Sequence, residues 1–203
     1  MSTPVLLSAN YLAPISYYHS IVQHTDTILI DQYEHFPKQT YRNRARIATA
    51  NGVLDLIVPI QHGRKEHIPM KDVKINYDHD WQRLHWLSIQ TAYRSSAYFE
   101  YYEDVFFPFY EKKYLYLIDL NVEQLQLTLQ LLKIQREIKK TEVYEKEYEK
   151  DLDFRQAIHP KKASVYHDPK SYYQVFSDKN GFQPDLSIID LLFNQGPQSK
   201  QFL

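Results

Sequence analysis

The sequence predicts an α/β fold: a Rossmann-like strand–helix–strand sheet at the N-terminus, a helical middle segment and a C-terminal helix that closes the core. Short apolar runs at Val5-Leu6-Leu7 and Thr27-Ile28-Leu29-Ile30 flank a stretch with helical spacing. Residues 121–138 carry a broad leucine and isoleucine stripe, and a final apolar run ends at Gly196-Pro197. At 203 residues the chain is expected to form a single domain, 1–203, with a sheet portion at 1–78, a helical portion at 79–140 and a mixed portion at 141–203.

Taken in order, the first strand begins at Val5 and is predicted to run to near Asn10. Pro14 suits a first helical turn, because it has no amide to leave unsatisfied. Ile15, Tyr18, Ile21 and Val22 then recur at helical spacing, and Thr27 to Asp31 reads as a buried strand. Asn51-Gly52 between two strand-like runs predicts a tight hairpin, and a further strand is predicted from Asp72 to Tyr77. Asp80 is placed to cap a helix carrying Trp81, Leu84, Leu87 and Ile89. Asn121 and Gln124 form a capping-box pattern before Leu125, Leu129 and Leu132, with Leu127, Leu131, Ile134 and Ile138 beside them. Lys139 to Phe154 mixes both charge signs and predicts an exposed face or edge strand. Ser187 then opens a capping pattern before Leu191-Leu192-Phe193.

Composition limits the function classes. Hydrophobic residues at 43% and charged residues at 24% are the balance of a soluble globular protein. The absence of cysteine excludes disulfides and thiolate metal sites. The N-terminus does not read as a secretory signal and no stretch reads as a membrane span, so a cytoplasmic protein is expected. His62, His67, His79 and His85 lack metal-ligand spacing; no metal is expected and no cofactor is indicated. A formal net charge of -1 gives no global attraction to nucleic acid, so any role for charge is local.

The local charge lies in "KQTYRNRAR", residues 38–46, with four cations and no acid. If Arg42 to Ala48 is extended, Arg42, Arg44 and Arg46 form a row on one face, and Tyr41, Asn43, Ala45 and Ile47 take the other. Like charges so spaced repel, so a bound anion is a physical reason for the row. Guanidinium forks match phosphate oxygens, and Lys38 adds a point charge. Lys38, Gln39, Tyr41, Arg42, Asn43, Arg44 and Arg46 are therefore the candidate binding set for a phosphate-bearing small molecule such as a nucleotide sugar. The competing reading is a charged hairpin edge that resists aggregation. Asp31 and His35 lie at the end of the expected buried strand, where open α/β sheets bind ligands. His35 is the candidate general base, with Asp31 as base or as the group that orients it.

The segments "NYLAPISYY", "DQYEHFPKQTYRNRARI", "ANGVLDLIVPI" and "LSIIDLLFNQGP", in that order, resemble the WbqC-like protein family over nearly the whole chain. The resemblance implies a bacterial, cytoplasmic protein, with relatives encoded among enzymes of O-antigen or other surface-polysaccharide (lipopolysaccharide) biosynthesis. It also implies a transferase that passes an acyl or aminoacyl group, glycyl among them, to an amino-sugar nucleotide. With no cysteine and no Gly-x-Ser-x-Gly elbow, direct attack without a covalent enzyme intermediate is the expected route. The alternative is a non-catalytic protein that binds a nucleotide or phosphate ligand. The first strand–helix–strand unit is also similar to nucleotidyltransferases that hold ATP phosphates with paired histidines. Only half of such a pair is present, at His19, so that similarity implies topology and not chemistry.

Overall fold

Apolar triplets this short become strands when both faces are covered. In the computed structural model, which describes residues 3–24, 27–61 and 67–203, β1 (Val5–Leu7) is buried at every position. It stops at Leu7, short of Asn10, and the chain crosses over through α1 (Ile15–Gln23) to the parallel strand β2 (Thr27–Ile30), with Val5 opposite Ile28. Pro14 stands one residue before the helix in extended conformation, and Ile15, Tyr18 and Ile21 are buried as the spacing predicts. His62 lies outside the described residues.

The hairpin forms as β3 (Arg44–Thr49) and β4 (Gly52–Ile57), paired antiparallel with Arg46 opposite Asp55. Ala50 and Asn51 make the turn, and Gly52 takes a φ of 99°, a conformation closed to most side chains. The strand expected from Asp72 to Tyr77 does not form. A 3₁₀ turn at Met70–Asp72 is followed by isolated bridges from Lys74 to Tyr116 and from Ile75 to Ile60. The Ile75 amide donates to Leu115 and the Asn76 amide to Pro59, so successive bonds go to different segments and no ladder builds.

The helical portion comprises α2 (Trp81–Tyr93), α3 (Phe99–Phe106), α4 (Pro108–Glu111) and α5 (Leu117–Leu131). Asp80 makes no capping bond to α2; its carboxylate takes Arg83 instead. The capping box expected at Asn121 is also absent, because α5 begins one turn earlier at Leu117. Asn121 is buried within the helix and donates to the carbonyls of Ala9 and Arg42, while Gln124 accepts from the Leu12 amide. These amides satisfy the irregular chain after β1, whose residues 8–14 are all buried. The stripe does not continue as helix to Ile138. Lys133 turns the chain with a φ of 54°, and Ile138 lies in β5 (Glu137–Lys140).

β5 pairs parallel with β2, completing a three-stranded sheet in the order β1-β2-β5. It is an edge strand, but only Lys139 and Lys140 of the charged stretch expected to form one lie in it; residues 141–149 form no helix or strand. After a short α6 (Ser177–Asn180), α7 (Ile188–Gln195) buries every residue from Ile188 to Asn194. Ser187 does not cap it by side chain, its hydroxyl donating instead to the Leu12 carbonyl. Gly196 ends it as expected, with a φ of 53°. No helix among the described residues is long and apolar enough to cross a membrane.

Candidate functional site

Where β1, β2 and β5 end, the next residues are Ser8, Asp31 and Thr141, so the carboxyl edge of the sheet is polar. Asp31 is fully buried there. One oxygen accepts from the amides of Tyr33 (2.9 Å) and Glu34 (3.0 Å) and from the Thr141 hydroxyl (3.2 Å); the other accepts from Arg155 at 2.6 Å. Arg155 also grips both oxygens of Asp153. Burial alone would lower the pKa of Arg155, but its bonds to Asp153 and Asp31 outweigh that and raise it. Asp31 makes no bond to His35, so the orienting contact expected between them is not made.

Arg42 corrects the expected row of three. It lies before β3, not in it, and is 1% exposed. Its Nε donates to one oxygen of Glu34 at 2.8 Å and its Nη2 to the other at 2.5 Å; Nη2 also reaches Ser8 Oγ and the Arg155 carbonyl. This fork binds a protein carboxylate, and Glu34 is itself buried. Arg44 and Arg46 do share a strand face, but Asp55 on β4 lies between them, 2.9 Å from Arg44 and 3.5 Å from Arg46. The neutralising acid is thus 11 residues away in sequence and directly across the hairpin from Arg46. Beside this pair, Arg46, Asp55, Gln183 and Leu186 line a separate open hollow of about 510 Å³.

The remaining candidates divide likewise. Asn43 donates to the Val58 carbonyl and holds the hairpin. Tyr41 is buried, and its hydroxyl is pushed up to about 12 by burial and by Asp185. Lys38 and Gln39 are exposed on the loop after His35, and Gln39 accepts from Lys161 at 2.5 Å. His19 stacks on Tyr166 with ring centroids 3.9 Å apart, and Ser16, Tyr17 and Tyr18 are buried, so no histidine pair forms at α1.

His35 is exposed, and with Glu34, Tyr144, Arg155 and Gln156 it lines a polar cleft of about 200 Å³. The His35 and Tyr144 rings are nearly parallel, 5° apart in tilt and 6.4 Å between centroids. Arg155 sits over the other side chain of that pair, 5.5 Å from the Tyr144 ring, and His67 lies 5.1 Å from His35. The cleft is therefore an imidazole and a phenol above a buried lattice of acids and guanidiniums. Sequence reasoning missed Tyr144, Arg155 and Gln156. They sit in or just beyond the charged stretch that reads as solvated surface, and no local motif sets them apart. Among the described residues no cluster of three or more His, Asp or Glu side chains is arranged to hold a metal ion.

No solved structure matches the chain significantly. A curated relative, the uncharacterized protein Rv1507c of Mycobacterium tuberculosis, is 25% identical over 228 aligned residues, covering 100% of this chain and 98% of that one. The model of the WbqC-like protein family matches residues 9–172 and 146–202, which between them take in the β1–α1 loop, the cleft and α7; the chain belongs to the WbqC-like protein family.

Proposed function

We propose that the protein is a transferase of surface-polysaccharide biosynthesis that passes an acyl or aminoacyl group to the amine of an amino-sugar nucleotide. The observation that supports this reading best is the exposed imidazole of His35 in a polar cleft at the carboxyl edge of a parallel sheet. In this reaction the amine attacks the acyl carbon, a C–N bond forms, and His35 takes the proton that the nitrogen sheds. The bond from the acyl carbon to its carrier then breaks, and the carrier leaves with the electron pair. Tyr144 and Gln156 line the same cleft, and among the described residues their side chains make no hydrogen bond, which leaves them free to donate to the oxyanion. Asp31, Glu34, Arg42 and Arg155 hold the floor rigid and do not react.

The family resemblance supplies the substrate class, and the lack of cysteine favours direct attack. With a glycyl donor and a uridine diphosphate amino sugar, His35→Ala should lower turnover at least about tenfold while leaving acceptor affinity nearly unchanged. No labelled acyl-enzyme should be trapped; a stable one would exclude this mechanism. A second reading, a non-catalytic phosphate-ligand binder, is favoured by one observation. Asp31 and Glu34 are both committed to arginines, so neither serves as the orienting partner that a histidine base often has. Binding of the nucleotide sugar with no turnover for any donor would select it.

A further inference from the structure

We propose that the turn His159-Pro160-Lys161-Lys162, together with Lys38, forms an oxyanion subsite that takes the diphosphate of a ligand bound at the His35 cleft. The inference rests on the reading above that this ligand carries phosphate, and it assigns that phosphate to residues outside the arginine row.

The acids and the lysines beside the cleft are not paired with one another. Glu34 is matched by Arg42, and Asp31 and Asp153 share Arg155. Lys161 Nζ donates to a neutral amide oxygen, Gln39 Oε1, at 2.5 Å, and Lys162 Nζ to a neutral carbonyl, that of Gln156, at 2.7 Å. Among the described residues neither ammonium has an acidic partner, and Lys38, next to Gln39, is exposed and forms no ion pair. An ammonium bound only to neutral oxygens retains its full charge for an incoming anion.

The turn is also rigid. The Lys162 amide donates to the His159 carbonyl at 3.0 Å, closing a turn in which Pro160 occupies the second position, where its fixed φ is favoured. Pro160 is buried, which anchors the turn, and the Lys162–Gln156 and Lys161–Gln39 bonds tie it to the cleft lining and to the loop after His35. His159 Nδ1 accepts the Lys161 amide at 3.1 Å. A neutral ring then carries its proton on Nε2, so the imidazole adds a donor beside the ammoniums. Burial and the nearby Lys162, Arg42 and Lys161 lower its pKa, which keeps the ring in this neutral, donating form.

The test is calorimetric titration of inorganic pyrophosphate, and in parallel of uridine diphosphate, into the full chain and into a Lys161→Gln/Lys162→Gln variant. Both probes should bind the unaltered chain, and the variant should bind each at least about tenfold more weakly. Affinity should also fall as salt rises from about 0.05 M to about 0.5 M, since the contacts are exposed. Among the described residues the Lys38 side chain makes no hydrogen bond or ion pair, so Lys38→Gln should keep the melting temperature and weaken pyrophosphate about threefold, which keeps the test valid if the double variant folds poorly. Absence of pyrophosphate binding, or affinities within about twofold in both variants, would overturn the subsite. None of these readouts needs turnover. Pyrophosphate binding without transfer would therefore count against the transferase reading alone, whereas transfer with unchanged affinity in the variants would count against the subsite alone.

Discussion

Arg42 and Arg44 are two residues apart and have opposite roles. Arg42 neutralises a buried carboxylate through both arms of its fork, so removing it leaves Glu34 charged and uncompensated in the interior. Breaking such a pair costs about 3–5 kcal/mol, and Arg42→Met should lower unfolding stability in urea by that amount. Arg42→Lys should not restore it, because a single ammonium cannot reach both Glu34 oxygens, Ser8 and the Arg155 carbonyl together. Arg44 pairs with Asp55 where both are partly exposed, and Arg44→Ala should cost no more than about 1 kcal/mol. Equal losses for the two variants would contradict this division. Alternation along an extended chain correctly put Arg44 and Arg46 on one face. It failed for Arg42 because β3 starts two residues later than the extended segment assumed, and what fixes Arg42 is Glu34, a contact across a loop.

At the scale of elements, signals confined to a few adjacent residues were the legible ones. The short apolar strands β1 and β2, the Asn51-Gly52 hairpin and the Gly196 stop are each set by local sterics. The capping boxes at Asn121 and Ser187 were not: α5 begins a turn before Asn121, whose amide serves Ala9 and Arg42, and the Ser187 hydroxyl goes to Leu12, contacts that no local pattern reveals. The same applies to the site. The carboxyl end of β2 is where the sequence leads one to expect a site, but Tyr144 and Arg155 reach the cleft there from more than 100 residues further on, as in the 124-residue separation of the Arg155–Asp31 bond. Gly196 carries the clearest element-scale prediction. Its φ of 53° favours glycine, and a Cβ there would overlap the Tyr98 ring. Gly196→Ala should destabilise the protein by about 2 kcal/mol or more, read as a lower urea midpoint with an unchanged slope. A variant as stable as the parent would show that the α7 terminus repacks freely.

For the whole molecule, α7 is a central element although it lies near the chain end: Ile188, Ile189, Leu191, Leu192 and Phe193 are all at most 1% exposed. Truncation after Asn180 should therefore abolish cooperative unfolding of the entire chain, and a truncated chain that melts like the parent would contradict this packing. Interior titration gives the molecule a pH limit. Burial lowers His85 to about 4, against a backbone hydrogen bond at Ile57 that raises it. The unfolded chain takes up this proton near pH ~6.5 and the folded chain only near 4, so stability present above ~6.5 falls as pH drops through that window, by about 3 kcal/mol. His85→Phe should flatten the fall measured by urea unfolding between those pH values; an unchanged slope would mean that other groups cause it. Asp190, raised by burial, acts in the opposite sense, but parent and His85→Phe share it, so the difference between them isolates the histidine. If ligand binds at the carboxyl edge of the parallel sheet and the hairpin arginines serve as framework, affinity for a uridine diphosphate amino sugar separates the two places. Tyr144 is 52% exposed, so Tyr144→Ala can be made without emptying the core. It should weaken binding at least about tenfold, whereas Arg46→Ala should stay within about twofold of the parent. Loss of binding in Arg46→Ala with none in Tyr144→Ala would place the ligand at the hairpin instead of the cleft.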